Sequence, residues 1–160
     1  MAIIESGPTP IPFEALAWQS PLFYMREAIV QTIRNDSVLT SLLGTDNFRV
    51  VYRPAKIPER YPVVSFFDFG TRPDAQVPLM DRTIQFDVWG QTLDQAERIA
   101  ERLEQLFDFP EARRRGVAPW SVGMGLRVEQ SLLTTDRNDV LDDGDTTRKT
   151  LEFRVLAYKR

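Results

Sequence analysis

Residues 83–107 decide the fold: Thr83-Ile84-Gln85-Phe86-Asp87-Val88-Trp89-Gly90-Gln91-Thr92-Leu93-Asp94-Gln95-Ala96-Glu97-Arg98-Ile99-Ala100-Glu101-Arg102-Leu103-Glu104-Gln105-Leu106-Phe107. Two hydrophobic periods meet in this stretch. Ile84, Phe86 and Val88 alternate with Thr83, Gln85 and Asp87, the two-residue period of a strand with one apolar face. After Gly90 the period lengthens. Leu93, Ala96, Ile99, Ala100, Leu103, Leu106 and Phe107 form one helical stripe. Thr92 followed three residues later by Gln95 reads as a capping box, which sets the helix start. Asp94 and Arg98, four apart, can pair on the outer face. Phe109-Pro110 stops the helix.

Upstream, residues 63–69 are apolar on both faces except Ser65 and Asp68, the pattern of a strand covered on both sides. Residues 48–53 read as a short strand. The loop 54–62 holds three prolines and the loop 70–78 holds two. Ser20-Pro21 reads as an N-cap with proline at the first helical position, and Phe23, Ala28, Ile29 and Ile33 give that helix its apolar face. Asn35-Asp36-Ser37 interrupts it. Asp36 can cap a short second helix carrying Val38, Leu39, Leu42 and Leu43, which Gly44 ends.

Downstream, residues 111–125 form a basic connection with Arg113-Arg114-Arg115, Trp120 and three glycines. Residues 126–133 read as a strand with Leu126, Val128, Gln130 and Leu132 on one side, and residues 136–145 as an acidic loop. Residues 147–158 form the last strand, with Leu151, Phe153, Val155 and Ala157 opposite Glu152, Arg154 and Tyr158. The order is helix, three strands, helix, two strands. It predicts an α+β fold: an antiparallel β-sheet of about five strands with two main helices packed on one face. Strands without a helix between them are expected to pair as hairpins. Residues 20–160 form one α+β domain in this reading, and residues 1–19 an extended N-terminal arm. In the arm Pro8, Pro10 and Pro12 favour extended backbone. Phe13, Leu16 and Trp18 either dock on the domain or a neighbour, or belong to a mobile terminus.

Composition narrows the chemistry. The chain has 160 residues, 42% of them hydrophobic, the size of one ordinary domain. Its mean hydropathy is -0.29 and no apolar run approaches membrane-spanning length, so no integral membrane protein is expected. The first residues carry no basic, apolar signal segment, so export by that route is not expected. With 0 Cys and 0 His there is no disulfide framework, no Cys nucleophile, no His base and none of the common zinc or iron sites. The net charge of -3 gives no global basic field for nucleic acid. Among the 20 basic residues only Lys56, Lys149 and Lys159 are lysines. Arginine suits bidentate contacts to carboxylates across interfaces; codon bias in a GC-rich genome gives the same count.

The remaining motifs are weak. No phosphate-binding glycine motif is present, and Gly123-Met124-Gly125 lies before a strand, as a bend does. Asp136, Asn138, Asp139, Asp142, Asp143 and Asp145 supply oxygen ligands, but Val140 and Leu141 break the calcium-loop pattern, so a solvated acidic tip is expected and no metal. No acidic pair falls in a pattern that implies a desolvated cleft, so no catalytic residue and no enzyme activity are expected. Arg113, Arg114 and Arg115 complement a helix C-terminus or an acidic neighbouring subunit more readily than they bind DNA at this net charge.

Two stretches together carry a family resemblance. The first runs from Met25-Arg26-Glu27-Ala28-Ile29-Val30 through Asp36-Ser37-Val38-Leu39-Thr40-Ser41-Leu42-Leu43-Gly44 to Arg49-Val50-Val51-Tyr52. The second is Tyr61-Pro62-Val63-Val64-Ser65-Phe66, then Thr83 to Gly90 and the helix with Ala96, Ile99 and Ala100. The pattern resembles the tail-terminator (tail-completion) proteins of long-tailed bacteriophages and related tailed particles, over residues 22–108 and more loosely through Tyr158. The resemblance implies a virion structural protein forming a hexameric ring on the head-proximal end of the tail. The ring would stop tube growth and dock the head connector. It implies partners in a second copy of the chain, the tail tube protein and the head-tail connector. DNA would only pass through the lumen, and neither membrane nor cofactor would be involved. The protein would be assembled in the bacterial host cytoplasm. The long arm and the 111–125 insertion depart from plainer members. A neck or head-completion protein, a small soluble nucleic-acid- or ligand-binding module, and a carboxylate-driven hydrolase stay as alternatives.

Such a subunit needs surfaces rather than an active site. Candidate contacts with neighbours or the tube are Phe13, Leu16 and Trp18 of the arm, and Arg72, Asp74 and Met80 of the loop after residue 70. Arg113, Arg114 and Arg115 form a candidate basic interface loop. Asp139, Asp142, Asp143 and Asp145 are expected to face the lumen or connector, where negative charge repels passing DNA; on an outer rim they would only aid solubility.

Overall fold

The computed structural model describes residues 21–44, 50–52, 60–70, 79–109, 126–141 and 146–159. The elements are α1 (Pro21–Asn35), α2 (Ser37–Leu43), β1 (Val50–Tyr52), β2 (Val63–Gly70), β3 (Leu79–Gly90), α3 (Leu93–Phe107), β4 (Leu126–Val140) and β5 (Thr147–Lys159). The strands form one five-stranded sheet in the order β1-β2-β3-β5-β4. The fold is α+β as expected, with the sheet largely antiparallel and the helices packed on it.

The local signals act where the sequence places them. Thr92 caps α3 by accepting a hydrogen bond from the Gln95 amide at 3.2 Å, and the Gln95 side chain accepts from the Gln91 amide at 3.0 Å. Asp36 caps α2 through the Leu39 amide at 2.8 Å. Gly44 ends α2 at φ 85, a region that glycine enters without a Cβ clash. Gly90 lies where β3 meets α3. A Cβ there would sit 3.0 Å from the Ala96 nitrogen and from the Thr92 carbonyl oxygen.

Three expectations need correction. β1 and β2 pair in parallel, with Val50 opposite Val64 and Tyr52 opposite Phe66. A parallel pair needs a connection longer than a tight turn, and residues 53–62, with Pro54, Pro58 and Pro62, separate the two strands in sequence. β3 begins at Leu79 rather than Thr83, which takes Met80 out of the expected loop and into the core at 1% exposure. β4 continues past Leu133 to Val140, so Asp136 and Asp139 belong to a strand. β4 carries bulges between Val128 and Gln130 and between Leu133 and Thr135. Each bulge flips the phase of side-chain alternation. Val128 and Ser131 are therefore buried against the helices, while Gln130 and Leu132 pair with Leu156 and Arg154 on the other face.

The core fills the space between sheet and helices. Met25, Ala28, Ile29 and Ile33 of α1, Leu39 and Leu43 of α2, and Ala96, Ile99, Ala100, Leu103 and Phe107 of α3 meet Val64, Phe66, Ile84, Phe86, Leu151, Phe153 and Val155. Phe86 is the hub of the aromatic cluster: its ring centroid lies 5.0 Å from Phe107, 5.8 Å from Phe153 and 6.0 Å from Phe66. β2 is buried on both faces from Val63 to Phe66, as its apolar run predicts, and opens toward Phe69 and Gly70.

Candidate functional site

Among the described residues no group of three or more Cys, Asp or Glu side chains is placed to hold a metal ion. No described helix is long and apolar enough to cross a membrane. Among the described residues three groups of chemistry-bearing side chains stand out.

The first group is a corner beside β1. Burial pushes the Asp68 carboxyl up, but hydrogen bonds from Arg26 and Arg82 outweigh burial and hold it below the ordinary carboxylate range. Arg26 donates through Nε at 2.9 Å, and Arg82 through a terminal nitrogen at 2.6 Å. The Tyr52 hydroxyl donates to the same carboxylate at 3.1 Å. Arg82 also donates to the Gly70 carbonyl at 2.8 Å. The Arg26 guanidinium lies over the Tyr52 ring, 4.2 Å from its centroid. Alternation alone marks Asp68 as a polar interruption of an apolar strand. Its register places it on the helix face, where α1 delivers Arg26.

The second group is the sheet face turned away from the helices. At one end it is buried and polar. Thr150 donates to Asp87 at 2.8 Å, Gln85 donates to Asp87 at 3.1 Å, and the Trp89 indole donates to Ser65 at 3.3 Å. Arg148 sits over the Trp89 ring. At the other end the face is open, with Phe69 42% and Tyr158 37% exposed. Between them Arg154 grips Asp81 with two hydrogen bonds, at 3.0 and 2.6 Å. The Arg154 contact holds the Asp81 carboxyl below its ordinary range.

The third group is the outer surface of α3, where Glu97 and Glu101 are exposed and Asp94 pairs with Arg98 at 2.9 Å.

The residues expected to form interfaces divide accordingly. Met80 is a core residue, so its side chain is not a docking contact of the subunit. Asp139 lies in β4, not in a loop tip, and Arg148 at 2.7 Å and Arg137 at 3.4 Å neutralise it. The hydrogen bond from Arg148 chiefly holds the Asp139 carboxyl below its ordinary range. Phe13, Leu16, Trp18, Arg72, Asp74, Arg113, Arg114, Arg115, Asp142, Asp143 and Asp145 lie outside the described residues. The Arg26–Asp68–Arg82 corner and the Arg154–Asp81 pair were not foreseen. The sequence signal for the corner is Asp68, a charged residue inside an otherwise apolar strand; Arg154 reads only as one of the polar residues of an alternating strand.

The chain is similar to one from the virion of a native gene transfer agent (GTA) particle, with a TM-score of 0.58, 19% sequence identity, and coverage of 84% of this chain and 94% of that one. The two share a fold. No protein-family model matches the sequence, and no curated protein does.

Proposed function

We propose that the chain is a structural protein of a tailed, phage-like particle and that it serves there as the tail terminator. The observation that carries this reading is the fold shared with a virion chain across 84% of the sequence. The resemblance of residues 22–108 to tail-terminator proteins supports the finer role. So does the placement of charge, in pairs and corners on surfaces around one filled core.

In this reading copies associate head to tail into a closed, hexameric ring. One ring face imitates the next ring of the tail tube and binds the tube end. The other face recruits no further tube subunit and meets the head-tail connector. DNA passes through the lumen, and no bond is made or broken. The acidic segment with Asp142, Asp143 and Asp145 lines the lumen in this arrangement and keeps DNA from adhering.

Gold-labelled antibody against the chain, imaged on intact particles, tests the assignment. Label at the head-proximal end of the tail is the expected result. Label on the neck above the tube end favours a head-completion protein. No label on the particle overturns the reading.

A further inference from the structure

β4 is an edge strand of the sheet, and the end of α3 covers part of its outer side. There the Phe109 amide donates to the Ser131 carbonyl at 2.7 Å, and the Asp108 carboxylate accepts from the Leu133 amide at 3.1 Å. Farther along, residues 136–140 run without a bulge or a proline. Just past them the Leu141 amide donates to the Thr146 carbonyl at 3.0 Å, on the β5 side. Backbone groups along a strand turn alternately to its two sides, so Arg137 and Asp139 also turn toward β5. Asp136, Asn138 and Val140 turn their N–H and C=O groups outward. Among the described residues none bonds to those groups. A row of such groups about 14 Å long is a template for a further strand.

Charge on an edge ordinarily guards against pairing. Here the order of the charges selects one pairing. In an antiparallel ladder an outward-turned residue must stand opposite another outward-turned residue. Two β4 edges satisfy this with Asn138 opposite Asn138 and Asp136 opposite Val140. Arg137 of each copy then stands opposite Asp139 of the other, in the positions where cross-strand side chains come closest. Registers centred on Asp136, Arg137 or Asp139 would instead set like charges face to face. Arg137 is 56% exposed and lies 3.4 Å from Asp139 of its own strand, whereas Arg148 holds that carboxylate at 2.7 Å. Of the two arginines, Arg137 is the one at the edge.

We infer that residues 136–140 of two copies of this chain pair as antiparallel strands about a two-fold axis at Asn138. The contact joins the two sheets into one and is self-complementary, since each copy gives the same patch. It differs in symmetry from the head-to-tail contact of a ring. The inference therefore goes beyond the proposed function and concerns how free copies associate.

The chain has 0 Cys, so single cysteines report the register. In the proposed pair the two copies of residue 138 lie about 5.5 Å apart at Cα, within disulfide reach, and the two copies of residue 136 about 14 Å apart. Under mild oxidation the full chain with Asn138→Cys should form a crosslinked dimer at least about tenfold faster than the chain with Asp136→Cys. Arg137→Asp and, separately, Asp139→Arg set like charges opposite each other. Each alone should dimerise about tenfold more weakly than wild type in sedimentation, with circular dichroism confirming the fold. An equal mixture of the two should recover the dimer, because both cross-strand pairs are then of opposite charge. Should Asp139→Arg unfold, the cysteine comparison decides. Equal crosslinking at residues 136 and 138, or charge variants that dimerise like the wild type, overturn the inference. So does a wild type that stays single at every concentration, which leaves the edge to a strand of another protein. Rings that form with no crosslink at residue 138 overturn the two-fold pairing and leave the ring reading standing.

Discussion

Arg102 of α3 and Asp36, the N-cap of α2, form a forked ion pair: Arg102 Nε lies 3.2 Å from both carboxylate oxygens and a terminal nitrogen lies 2.6 Å from one. The same carboxylate accepts from the Leu39 amide at 2.8 Å. One side chain thus starts a helix and ties it to another, 66 residues on in sequence.

Asp36→Ala removes both functions and should cost about 2 kcal/mol of unfolding free energy, the cap and the pair together. Arg102→Ala removes the pair and leaves the cap, and should cost less than Asp36→Ala. Urea unfolding of the two variants checks the difference. Equal losses would show that the cap contributes nothing.

Acid should weaken the fold in a defined window. The Arg102 hydrogen bond chiefly holds Asp36 below its ordinary range, and Asp68 is held down by its two arginines against the opposing effect of burial. A carboxyl with a lowered folded-state pKa contributes stability that is full above its unfolded value, about 3.9, and is lost as pH falls through the folded value. Stability should therefore change little above about pH 5 and fall steadily below about pH 4. Asp36→Asn should flatten that fall, measured as unfolding free energy against pH. An unchanged slope would contradict the assignment.

The aromatic hub and the open face should respond differently. Phe86 is fully buried between Phe66, Phe107 and Phe153, and Phe86→Ala should cost about 3–5 kcal/mol. Phe69 is 42% exposed, and Phe69→Ala should stay within about 1 kcal/mol of wild type. Thermal unfolding of the two variants reads the contrast.

The strand-to-helix unit at residues 83–107 was legible because its signals are local. Period, cap and stop all lie within the segment, and the structure keeps the helix from Leu93 to Phe107. The parallel pairing of β1 with β2 was hidden because a three-residue strand has too little pattern to reveal its direction. The extent and facing of β4 were hidden by two bulges, which mix the faces, and by its polar end, which reads as loop until β5 supplies Lys149 and Arg148 as partners for Asp136 and Asp139. The corner at Asp68 needs α1, β1, β2 and β3 together, and no single window of sequence contains them. Met80 read as a loop residue because Pro78 directly precedes Leu79 and masks the strand start.

The acidic segment gives a prediction in the particle. Replacing Asp142, Asp143 and Asp145 by Asn should slow DNA ejection, since in the proposed ring it removes negative charge that would repel DNA from the lumen. Ejection timed by fluorescence of released DNA measures this. Unchanged ejection from particles of normal yield would contradict the lumen placement.

Electron microscopy of the purified chain, alone and mixed with growing tail tubes, bears most directly on the proposed role. The account predicts closed rings that seat on one end of each tube and halt its elongation. A chain that stays single at high concentration and leaves tube growth unaltered would contradict it.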